Sequence, residues 1–120
     1  MLESKPPESD ALFDLALIDR ELRQEEAYAR VGHTARTLVH EADLRIVLIV
    51  MRGGGHIRQH QARDTISIHV LSGLVRVGLP NGTADVPAGR LLTLQRDVPH
   101  DVEALEDSAF LLTLGWREQG

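Results

Sequence analysis

The chain has 120 residues, 42% hydrophobic and 26% charged, with a formal net charge of -5, values that fit one soluble globular domain. It has no cysteine, which excludes disulfide staples, thiolate metal sites and a cysteine nucleophile. Its 13 Lys and Arg form no basic run and its longest apolar stretch is Ile46–Met51, so neither a nucleic-acid footprint nor a membrane span is expected.

Residues 1–9 contain Pro6, Pro7, two serines and alternating charge. They read as a loose arm without the basic and apolar halves of a signal peptide, and the default location is the cytoplasm. Residues 10–31 read as helical, because Leu12, Leu15, Ala16, Ile18 and Leu22 recur at three- and four-residue steps. Asp19/Arg23 and Glu26/Arg30 are i,i+4 pairs of favourable sign. The apolar stripe fades after Leu22, which leaves one helix or two, and Gly32 supplies a stop. The division expected is an N-terminal arm and helix over 1–32 and a β-barrel over 33–120, packed as one structural domain.

From His33 onward the pattern turns to short β-rich runs cut by Gly, Pro and Asn. Strands are predicted near 35–40, 44–51, 56–61, 65–71, 74–79, 83–87, 90–95, 100–104 and 109–115. Ser72-Gly73 makes a tight join and Asn81-Gly82 after Pro80 signals a hairpin. Gly53-Gly54-Gly55 admits backbone conformations closed to other residues. Alternation puts Ile66, Ile68 and Val70 on one face and Thr65, Ser67 and His69 on the other; Phe110, Leu112 and Leu114 likewise share a face. The run Leu44–Met51 is apolar on both faces, so one face should meet a barrel core and the other a helix or a second subunit. A homodimer is expected on that ground. The fold class is mainly β, a small barrel or sandwich after a helical start.

Chemistry, if present, rests on six histidines: His33, His40, His56, His60, His69 and His100. There is no phosphate-binding glycine loop and no serine in a nucleophile elbow. His33, His40 and His69 read as surface or interface residues. His56, Arg58 and His60 share parity on a regular strand, with His56 and His60 roughly 13 Å apart along it. Arg58 then has two readings, a clamp for a ligand carboxylate and a solvated strand-end residue.

Two segments carry a family resemblance. Gly54, five residues, His60, one residue, Ala62, three residues, Ile66, six residues and Gly73 match the spacing of the first cupin motif, G-x5-H-x-H-x3,4-E-x6-G. Gly89, Gln95, Asp97, His100 and Ala104 fall at the spacing of the second motif, G-x5-P-x-G-x2-H-x3-N, in which only Gly89 and His100 are the family's residue types. Over about residues 44–115 the chain resembles the small single-domain cupins of the RmlC-like superfamily. The resemblance implies a double-stranded β-helix, the jelly-roll barrel, and a pocket inside it.

In that family the two first-motif histidines, the glutamate and the second-motif histidine hold one divalent metal. Carried over residue by residue, only His60 and His100 remain; Ala62 and Ile66 stand at the other two positions. Catalytic metal sites need about three protein ligands, so the expectation is no cofactor or a weakly held divalent ion on His60 and His100, with His56 as the possible third ligand. Three functions compete: a barrel that binds a small organic ligand through His60, His100, Arg58, Ile66 and Ala62; a metal-dependent dioxygenase, isomerase or decarboxylase; and a dimeric scaffold. The first accords best with a retained histidine pair in an apolar pocket.

Overall fold

The computed structural model describes residues 11–61 and 63–115, without the side chains of Gln59, His60 and Gln61. The 1–9 arm and Ala62 lie outside the described residues.

Two helices precede nine strands. Asp14 starts α1 (Leu15–Arg23) by accepting a hydrogen bond from the Leu17 amide at 3.1 Å, which satisfies one of the orphan donors of the first turn. Arg20 and Arg23 occupy the last turn, where positive charge suits the helix dipole. The predicted Asp19–Arg23 pair closes at 2.6 Å. The helical segment does divide, after Arg23: α2 (Glu26–Val31) follows a short break and ends at Gly32, whose φ of +97° caps it in the left-handed region. Because α1 begins only at Leu15, Leu12 lies ahead of it and is 71% exposed.

The strands are β1 (His33–His40), β2 (Leu44–Met51), β3 (His56–Gln61), β4 (Thr65–Ser72), β5 (Leu74–Leu79), β6 (Gly82–Pro87), β7 (Leu91–Leu94), β8 (Pro99–Ala104) and β9 (Ser108–Gly115). They form two antiparallel sheets, β1-β2-β9-β4-β7 and β3-β8-β5-β6. All nine predicted runs are present, with ends moved by at most two residues. Successive strands cross from one sheet to the other at β2–β3, β3–β4, β4–β5, β6–β7, β7–β8 and β8–β9, so both sheets contribute to one interior.

β2 shows how the layers are joined. Val47, Ile49 and Met51 face the interior and pack with Ile68, Val70, Val75, Val77, Val102 and Phe110. Leu48 and Val50 face the other way and pack with Ala109 and Leu22 of α1, which is fully buried. The helix is therefore what covers the second apolar face at Leu48 and Val50. Burying one leucine in this way contributes about 1.5–3 kcal/mol.

One end of the sandwich is closed by backbone. The Gly54 amide donates to the Ala104 carbonyl at 2.8 Å, the Ala104 amide to the Gly55 carbonyl at 2.9 Å and the Leu105 amide to the Leu74 carbonyl at 2.9 Å. Gly73 has φ +83°, and a Cβ there would overlap the Asp107 carbonyl and the Ser108 hydroxyl. Ser108 is fully buried; its Oγ accepts from the Leu74 amide at 3.0 Å and donates to the Glu106 carbonyl at 2.7 Å. Ser108→Ala leaves the Leu74 amide without this acceptor, and an unmet buried donor costs about 1–3 kcal/mol. A loss of that size in chemical-denaturation stability is expected.

Candidate functional site at the barrel mouth

The opposite end, the mouth, is where β3 ends, β4 begins, β7 ends and β8 begins. Residues 62–64 and 95–98 link these strands from one sheet to the other. The links bring His60, Ile66, Leu94 and His100 to the same end of the interior.

The β3–β8 ladder decides which residues face inward. Ile57 pairs with Val102 and His60 with His100, so β3 advances three residues while β8 advances two. The extra residue is a bulge, and a bulge reverses the alternation of faces on its strand. On β8, His100, Val102 and Ala104 are buried at 3%, 5% and 1% exposure. Their partners on the same face are therefore the β3 positions Ile57 and His60.

His56 and Arg58 fall elsewhere. His56 pairs with Glu103 on the outer face, and its Nε2–H donates to Asp101 Oδ2 at 3.2 Å. Arg58 is exposed beside the bulge. The shared parity expected for His56, Arg58 and His60 holds only on a regular strand, and the extra residue removes it. His69 is exposed on the outer alternation of β4, as its parity predicts. His33 and His40 lie at the two ends of β1.

His100 is almost wholly buried, and its Nδ1 lies 3.0 Å from the Val98 carbonyl. A carbonyl can only accept, so Nδ1 carries the proton, and in the neutral ring Nε2 is the lone-pair atom. The turn into β8 passes through Asp97, with φ +64°, at the position where the motif has glycine. Aspartate tolerates the left-handed region better than most side chains do, which explains how the turn survives the replacement.

The facing wall is hydrocarbon. Ile66, 3% exposed, pairs with Leu94 on one side and Leu114 on the other, and Leu114 in turn pairs with Arg45. Arg45 belongs to the same alternation of β2 as the buried Val47, Ile49 and Met51, and is exposed at the rim. Apolar content alone does not single out Arg45 in the 44–51 run. Its parity with Val47 and Ile49 was the signal that places it.

A divalent ion of the kind the resemblance implies does not fit this donor set. Ile66 puts a buried hydrocarbon where the carboxylate ligand would stand, with aliphatic neighbours on both sides. Among the described residues no group of three His, Asp or Glu side chains could hold a metal ion. A separate concavity of about 310 Å³ lies outside the barrel, between residues 11–15 and the outer face of β1, β2 and β9, lined by Leu12, Phe13, Leu38, Val39, Ile46 and Leu111 among others.

Solved structures of the same shape are numerous. A cupin superfamily protein from Desulfitobacterium hafniense superposes with a TM-score of 0.74 over 98% of this chain and 99% of its own, at 14% identity. The fold is that of a small cupin. A conserved protein of unknown function from Streptococcus pyogenes is 26% identical over 91% of this chain and 90% of its own, with a TM-score of 0.74. Salicylate 1,2-dioxygenase from Pseudoaminobacter salicylatoxidans matches with a TM-score of 0.77 at 16% identity, over 86% of this chain and only 34% of the enzyme. No family model and no curated protein matches the sequence. One barrel carries many chemistries, so these likenesses establish the cupin architecture and leave activity to the residues of the mouth. Among the described residues no helix is long and apolar enough to cross a membrane.

The tautomer of His100 is directly measurable. In 15N-detected spectra of the neutral ring, Nδ1 should carry the proton; a ring protonated at Nε2 instead would break the Val98 contact.

Proposed function

We propose that this cupin-fold protein binds a small organic molecule in the mouth of its barrel. His60 and His100 are its polar handles, and the Leu94–Ile66–Leu114 row is the apolar wall on which the body of the ligand lies. The single observation that carries the reading is the β3–β8 register, which sets His60 directly across from the buried His100. A histidine position across from a buried imidazole, beside a hydrocarbon row, offers a few polar groups among apolar ones, the usual composition of a ligand site. The reading of a metal-dependent enzyme needs a third donor, and Ile66 supplies none.

Screening a fluorinated fragment library by NMR tests the proposal. Fragments that bind the wild type should weaken about 5- to 150-fold in His100→Ala, the factor that corresponds to a lost buried hydrogen bond of about 1–3 kcal/mol. Hits that bind the variant unchanged would dismiss the mouth as the site.

A two-fold dimer belongs to the same proposal. The outer face of β2 is covered by α1 at Leu48 and Val50 but remains half-buried at Ile46, which lines the outer groove beside Leu12 and Phe13. Light scattering coupled to gel filtration should give twice the chain mass, and Leu12→Asp should shift it toward one copy. A monomeric wild type at high micromolar concentration would end this part of the proposal.

A further inference from the structure

The charges on the inward rows specify the ligand more closely. On β2, β4, β5, β7, β8 and β9 the inward alternation carries Arg45, His100, the hydroxyl of Ser108 at the closed end and otherwise hydrocarbon, and on the edge strand β1 the exposed His40 stands directly across from Arg45. His60 joins them through its register with His100. Among the described residues none of these inward positions is Asp or Glu. The carboxylates of the four-stranded sheet, Asp85, Asp101 and Glu103, lie on its outer alternation, where Asp85 pairs with Arg76 and Asp101 with His56. The two links at the mouth each carry one charge of each sign, Arg63 with Asp64 and Arg96 with Asp97. The inward rows therefore carry basic side chains and, among the described residues, no carboxylate.

Arg45 lies in the row His40–Arg45–Leu114–Ile66–Leu94, next to the edge strand. It makes no ion pair among the described residues. Adjacent strands are about 4.8 Å apart, so Ile66 lies about 10 Å from Arg45 across the sheet, within the span of one small molecule and a long arginine stem.

We infer that the mouth is built for a small organic anion, a carboxylate with an apolar body, whose charge is met by the Arg45 guanidinium while its body lies on Leu114, Ile66 and Leu94. A carboxylate entering an apolar cavity loses water and needs a counter-charge. A guanidinium offers it two parallel hydrogen bonds in a fixed fork. The same lack of inward carboxylates that suits an anion leaves a divalent cation uncompensated. This inference deepens the ligand-binding reading and assigns to Arg45 the role of carboxylate clamp that the sequence offered to Arg58.

The test uses the full chain with monocarboxylates from butyrate to octanoate, benzoate, and the matching neutral amides, followed by calorimetry and thermal shift. At least one acid should bind at least tenfold more tightly than its amide. Arg45→Gln should remove that tenfold preference and leave the amide unaffected, whereas Arg20→Gln, on the exposed side of α1, should change neither. Arg45 is exposed and outside the apolar core, so the variant should fold like the wild type. The inference is overturned if amides bind as well as acids, if no acid binds, if Arg45→Gln keeps the preference, or if cobalt(II) binds stoichiometrically and is lost in His100→Ala. Neutral fragments that bind and are lost in His100→Ala, with no preference for acids, would overturn the anion and leave the ligand-binding mouth standing.

Discussion

One extra residue between Ile57 and His60 governs the candidate site. A strand presents alternate residues to alternate faces, so a single insertion reassigns every side chain on one side of it. The β3 bulge keeps Ile57 in the core and still brings the His60 position onto the inward face opposite His100. It also sends His56 outward to Asp101. Without it, the core contact of Ile57 and the inward placement of His60 would be mutually exclusive.

The remainder of the molecule holds that ladder in place. Backbone hydrogen bonds and the buried Ser108 hydroxyl close the far end, where Gly73 is required because a Cβ would strike the Asp107 carbonyl. The interior from Met51 to Val102 is filled by aliphatic side chains and Phe110. α1 seals the outer face of β2 through Leu22. At the mouth, Ile66 stands at the position to which the cupin spacing gives a carboxylate.

The residue types at the mouth suit hydrocarbon better than a cation. A cation seat needs negative charge and several lone pairs converging within bonding distance. Ile66 supplies neither and continues a hydrocarbon wall from Leu94 to Leu114. The His100 imidazole can both donate and accept a hydrogen bond, and the Val98 carbonyl fixes which of its atoms does which.

The sequence by itself determined the number and order of the strands, the two-faced burial of β2 and the inward set Ile66, Ile68 and Val70, because local alternation and turn chemistry carry that information directly. It also placed Ile66 at the position of the missing carboxylate, since motif spacing survives the loss of the motif's residues. Only the tertiary structure decided that His56 and Arg58 leave the inward face, since a bulge is set by what the partner strand offers. Only pairing across strands distant in sequence aligned Arg45, Leu114, Ile66 and Leu94 in one row. Register between strands far apart in the chain is fixed by the packing of the whole sandwich, and no local pattern of residues encodes it.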